Sequence, residues 1–296
     1  MKPIKEQGNC KNIYTAPIIA LFVLSFLTGC SGTTPGHQTG IDSTGVTAIQ
    51  NNTAIFVTTP PAELQLDTFY KKYLKVLGIP IVGSEQVPDD AFYSVQEKVI
   101  EMTSLRPDIL EKMVENKIRI SIMGKTELTT DMPEYRDWNN PSQSEGINWN
   151  TRGRGFGASL ELPVSSCAEE NLLCYDKSID WYFNEDIFIH EFAHSIHGLG
   201  IRFIDMNIDK ELQAALDNAI TKELWENTYA RTDLYEYFAE GVQDWFNVNA
   251  TAFPTNGTHN QISTRQELKE YDPVLYAIIK RYFPENDLKI SCHQKD

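Results

Sequence analysis

The chain has 296 residues, 41% of them hydrophobic, which is enough to bury a substantial core and too short for more than one or two domains. Its 41 acidic side chains outnumber 26 basic ones, for a formal net charge of −15. That imbalance argues against nucleic acid as a partner, since binding to a phosphate backbone draws on clustered Lys and Arg.

Lys2, Lys5 and Lys11 form a basic start, followed by a nearly continuous apolar run from Ala16 to Leu27. This 12-residue run falls short of the roughly 20 that cross a bilayer as a helix, and residues 1–29 read as a signal peptide. The run ends in Leu27-Thr28-Gly29-Cys30, which resembles the lipobox of bacterial lipoproteins. The resemblance implies cleavage before Cys30, acylation of that cysteine and anchoring in a membrane of the cell envelope. Ser31 resembles the sorting context of outer-membrane lipoproteins of two-membrane bacteria; secretion with soluble release and an uncleaved anchor are the alternatives to lipidation.

Residues 30–61 are rich in Ser, Thr, Gly, Asn and Gln, the composition of a flexible tether, and residues 62–296 form the expected folded domain. In chain order, Leu64 to Leu77 has helical spacing through Leu66, Tyr70, Tyr73 and Leu77, and a short apolar stretch, Ile79 to Val82, follows. Pro88-Asp89-Asp90 opens a helix carrying Phe92, Val95 and Val99. Pro107 opens another that ends near Lys117, and Ile118 to Met123 alternates like a strand. Thr126 to Asn150 is polar and rich in turn residues. Gly153 to Pro163 reads as extended, with glycines that let another backbone come close.

Cys167 and Cys174 flank a six-residue loop that could close as a disulfide in an oxidising compartment, leaving Cys292 over. After Ser178 the pattern turns helical: Asn184 to about His197 with Asn184 as cap, Asp209 to Trp225, Thr232 to Phe246, and Thr264 to Phe283 broken at Pro273. Strands early and helices late predict an α+β domain.

The chemistry centres on His190-Glu191-Phe192-Ala193-His194, an HExxH motif. On a helix, residues four apart share a face, so both imidazoles reach one Zn²⁺ while Glu191 approaches from the side. A catalytic zinc needs a third protein ligand and an open position. The HExxHxxGxxH solution is absent, because His197 stands at the Gly position and Gly200 at the third His. A glutamate from a later helix is the other solution, and Glu236 supplies one 42 positions after His194. Glu240, one turn on, is expected to hold one imidazole by its free N–H. Asp233 and Glu236 can also be read as a capping-box-like helix start with Glu240 in solvent.

The HExxH motif, with Thr228-Tyr229-Ala230-Arg231-Thr232 and Glu236-Tyr237-Phe238-Ala239-Glu240, resembles the catalytic core of the anthrax lethal factor group of gluzincin metallopeptidases over about 60 residues. The resemblance implies a zincin-like domain with a mixed sheet and an active-site helix. It also implies zinc on His190, His194 and Glu236, Glu191 as general base and Tyr229 as the donor to the oxyanion. His197 falls outside the pattern. A lipid-anchored zinc metalloendopeptidase acting on extended protein or peptide substrates is then expected, with Gly157 to Leu162 as the edge that receives them. A non-catalytic binding lipoprotein on the same scaffold, or a zinc hydrolase of a non-peptide bond, are the alternatives.

Overall fold

The computed structural model describes residues 56–142, 144, 146–286 and 288–295. The expected signal peptide, Cys30 and most of the expected tether lie outside these residues. Thr58 and Tyr73 exchange backbone hydrogen bonds of 2.8 and 2.7 Å, so the last residues of that tether already pair with the domain.

The stretch with helical spacing at the start of the domain is a hairpin. Only a 3-10 turn, Ala62–Leu64, is helical there; β1 (Lys72–Val76) runs antiparallel to β2 (Ile79–Gly83). Leu77 and Gly78 both take positive φ, 48° and 94°, the mirror-image turn whose twist suits paired strands. Leu74 and Val76 are buried and Lys75 exposed, the two-residue period of a strand. That turn and the pairing it permits override the helical spacing.

From β2 the chain crosses through α1 (Asp89–Thr103) and α2 (Pro107–Glu115) to β3 (Arg119–Met123), which lies parallel to β2. Pro107 occupies the first turn of α2, where its missing N–H costs nothing. β4 (Val164–Ala168) adds parallel to β3 and completes a mixed sheet in the order β1-β2-β3-β4. Ile79, Ile81, Val82, Ile120 and Ile122 are buried, as expected where helices and loops cover both faces of the parallel strands.

Beyond β4, among the described residues, only Phe156 continues the sheet, exchanging hydrogen bonds of 3.2 and 2.8 Å with Ser166. The expected edge from Gly157 to Leu162 does not form, because the Ser159 N–H turns back onto the Leu162 carbonyl at 3.0 Å. The short helices α3 (Trp149–Arg152) and α4 (Glu169–Leu172) flank this region.

The rest of the domain is helical: α5 (Ile187–Leu199), α6 (Ile208–Thr221), α7 (Leu234–Trp245), α8 (Arg265–Tyr271) and α9 (Pro273–Ile279), with Pro273 at the α8–α9 break. α5 packs between β4 and α7, and α6, α8 and α9 support α7. No helix among the described residues is long and apolar enough to cross a membrane.

The cysteine pairing differs from the short-loop expectation. Cys167 is a free thiol buried in β4, among core residues, while Cys174 bonds to Cys292, 118 residues on, with Cα atoms 6.2 Å apart. The strand aims Cys167 into the core, so the partner of Cys174 comes from the C-terminal segment. That segment is held further by the His293 ring, which donates to the Asn171 carbonyl at 2.8 Å.

Candidate metal centre

Asn184, expected as the cap of the active-site helix, has a positive φ of 82° and stands outside it. The cap is Asp186, whose Oδ1 accepts the Ile189 N–H at 3.1 Å. Its Oδ2 accepts the Ser291 hydroxyl at 2.5 Å and lies 3.4 Å from the ammonium of Lys98, both charges fully buried. A buried cation on α1 and a hydroxyl from the C-terminal segment therefore set the point where α5 begins. Phe188, Phe192 and Ile196 face the core, leaving His190 and His194 toward Glu236 of α7 and Glu191 toward Gly157.

α7 begins at a cap of its own. Asp233 Oδ1 accepts the N–H groups of Tyr235 and Glu236 at 2.8 and 3.0 Å. The capping-box-like reading holds only in part: Asp233 does the capping, but Glu236 closes no box and reaches toward α5 instead, and Glu240 is buried instead of solvated. Glu236 Oε2 lies 3.1 Å from His190 Nε2 and 3.3 Å from His194 Nε2, and the two ring nitrogens are 3.1 Å apart.

Two imidazole nitrogens and one carboxylate oxygen form the donor set of a catalytic zinc, and tetrahedral bonds of about 2.0–2.1 Å put donors about 3.3 Å from one another. The observed spacings fit. Without a cation the three groups compete for protons. Burial pulls the His190 imidazole down, but Glu236, Glu191 and Glu240 outweigh it and push its pKa up to about 10. Burial pushes the Glu236 carboxyl up, and His194 and His190 nevertheless hold it far below the usual carboxylate range.

The acceptor behind His190 is Gln243, whose Oε1 lies 2.8 Å from Nδ1. Glu240, which the sequence nominates, stands 3.6 Å away, and its Oε2 accepts from the Asn249 amide at 3.1 Å. Gln243 is seven residues after Glu236, two turns along the same face, and its amide donates to the Asp186 carbonyl at 3.2 Å. Helical spacing alone could have nominated it; preference for a charged acceptor passed it over.

Glu191 is partly buried, accepts the Gly157 N–H, and has its carboxyl pushed up chiefly by burial. A Cβ on Gly157 would stand 2.6 Å from the His194 Cβ, so a glycine is required for this segment to lie on α5. The Ala158 N–H then donates to Ser195 Oγ at 2.9 Å.

Tyr229 begins a 3-10 turn, Tyr229–Arg231, and its ring lies 6.4 Å from that of His190, with 25° between the planes. Burial, followed by the charge of Glu236, pushes the phenol's pKa up. The neighbouring tyrosines point elsewhere: Tyr237 donates to Asp272 at 2.5 Å, and Tyr235 packs 5.5 Å from the His197 ring. His197 is buried and ties α5 to α6 through Asp209, 2.9 Å from its Nε2.

Fold and site together define an α+β domain in which an HExxH helix and a later helix bring two imidazoles and a carboxylate to one point. No family model and no curated protein matches the chain. Among solved structures, the PRO-PRO endopeptidase PPEP-2 from Paenibacillus alvei aligns over 69% of this chain and 97% of its own, at 16% identity and a TM-score of 0.44. A likeness at that level leaves the function to be read from the site.

Proposed function

We propose that the chain is a zinc metalloendopeptidase of the gluzincin type, akin to the lethal factor group, held by acylated Cys30 on the outer side of a bacterial membrane. The observation that carries the reading is the convergence of His190, His194 and Glu236 at 3.1–3.3 Å. The Cys174–Cys292 disulfide supports an oxidising compartment.

His190, His194 and Glu236 would hold the ion, which when bound supplies Lewis acidity to a water and to the scissile carbonyl. Glu191 takes the proton of the attacking water and returns it to the leaving nitrogen. The Tyr229 hydroxyl donates to the carbonyl oxygen as charge builds there, a contact worth about 3 kcal/mol in the transition state. Gly153 to Gly157, which bridges to β4 at Phe156 and lies across α5, offers its backbone to an extended peptide.

The test is to measure the zinc content of the purified protein and incubate it with a proteome-derived peptide library, with and without a chelator. Stoichiometric zinc and chelator-sensitive cleavage, restored by added zinc, are expected. A zinc-loaded protein that cuts no peptide overturns the peptidase reading. Cys30→Ala should move the protein from the membrane to the soluble fraction.

A further inference from the structure

We infer that the C-terminal segment from Ser291 to Lys295 is a redox-controlled clamp on the metal centre: the Cys174–Cys292 disulfide holds it against the groups that cap α5, and reduction of that bond weakens the site's hold on zinc. The inference rests on the metal-ligand assignment above. The first N–H groups of a helix have no partner within it, and in α5 two side chains supply one. Asp186 Oδ1 accepts from Ile189 at 3.1 Å, and Asn171 Oδ1 accepts from Ile187 at 2.9 Å. Both are held by the residues that flank Cys292. The Ser291 hydroxyl donates to the other Asp186 oxygen at 2.5 Å, and the His293 ring donates to the Asn171 carbonyl at 2.8 Å. Asn171 also gives its amide to the Glu185 carbonyl at 2.8 Å, so it fixes the backbone on both sides of Asp186. Cys174 follows Asn171 by three residues, and its bond to Cys292 ties the clamp to the capping residue it grips.

The covalent bond decides because little else holds the segment. Among the described residues no helix or strand follows Ile279, and Ser291 and His293 rely on side-chain hydrogen bonds whose net worth in water is small against the entropy of an ordered chain end. Cys292 is exposed, so a reductant can reach it. A dithiol attacks the disulfide, gives the S–S bond two electrons and two protons, closes its own disulfide and leaves thiols at Cys174 and Cys292. Asp186 then keeps Lys98 but loses its hydroxyl donor. The His190 N–H bonds to the Asp186 carbonyl at 3.5 Å, so fraying of this first turn moves a metal ligand directly. Zinc is therefore held tightly only where the disulfide has formed, which keeps the chain metal-poor in a reducing compartment.

The test compares the oxidised wild-type chain with two disulfide-free forms: wild type reduced with a dithiol, alkylated with iodoacetamide and desalted, and Cys174→Ser/Cys292→Ser. Alkylation and serine both remove the thiolates that form a second donor set with His293, and the mass should show two labels, with buried Cys167 unmodified. Zinc titration against a competing chelator should give a Kd about tenfold higher in both forms, the low end of what loss of a group orienting a ligand costs. Hydrogen exchange should quicken in the peptides covering Asn171 and Glu185 to His190 and stay unchanged in β2 and β3. Ser291→Ala, with the disulfide intact, should raise Kd by a smaller factor, and it decides the matter should the disulfide-free forms not fold. An equal Kd in the folded forms, faster exchange throughout the domain, or a Ser291→Ala variant that binds zinc like wild type overturns the clamp. Should the oxidised chain bind no zinc, or keep it in Glu236→Ala, the metal half falls with the ligand assignment, while the exchange pattern still decides whether the disulfide holds the start of α5.

Discussion

Glu236, Glu240 and Asp244 follow one another at four-residue intervals on one face of α7, yet its two ends put the same chemistry into opposite states. At the first turn, the Glu236 side chain keeps 18% exposure and meets two imidazoles; burial pushes its carboxyl up, and His194 and His190 pull it far down. Deeper in, burial dominates and pushes the carboxyls of Glu240 and Asp244 up. Asn249 gives its amide nitrogen to Glu240, and neither Asp244 oxygen has a donor in hydrogen-bond geometry among the described residues. A stripe of acids thus makes three equivalent candidates, and the groups facing them from other elements decide which one is ionised and free to ligate.

The comparison breaks first at the exposed end. Glu236→Ala should strip the site of its zinc, read by metal analysis after dialysis, whereas Glu191→Gln should keep zinc and lose about 10²–10⁴-fold in kcat, the range for a general base. Equal zinc in wild type and Glu236→Ala would move the ligand role elsewhere on the helix. Away from α7, the Cys174→Ser/Cys292→Ser pair should lower the unfolding free energy by about 4 kcal/mol in chemical denaturation, given the 118-residue separation it closes, and Cys167→Ser should leave the disulfide intact.

Between the two ends, Gln243→Leu should weaken zinc about 10–100-fold by releasing His190, as the loss of a group that orients a metal ligand does. Glu240→Gln, at 3.6 Å from that ring, should cost less. The reverse order would restore Glu240 as the acceptor.

The smallest expected effect lies at the sealed end. Because the folded Asp244 carboxyl sits above its unfolded value, the stability it contributes is full below about pH 4 and is lost as pH rises through the folded pKa. Asp244→Asn removes that loss and should unfold at higher denaturant near pH 7 by about 1 kcal/mol, with no such gain at acid pH. A variant less stable than wild type at neutral pH would mean that the carboxylate is ionised and partnered.

Much of the site was legible in the sequence because its spacing is local. HExxH puts two imidazoles on one helical face, the segment from Asp233 announces a second helix, and the apolar runs at β2 and β3 mark the buried strands. What lay beyond such reading joins distant positions. Cys174 bonded across 118 residues instead of across a six-residue loop, and the Asp186 cap of α5 met Lys98 and Ser291.

The sequence by itself determined which side chains share a face within each element, because helix and strand periods follow from backbone geometry alone. The tertiary structure alone decided which faces meet, which acid is ionised and which cysteines pair. Those outcomes depend on burial and on partners brought from far along the chain, and no local period records them.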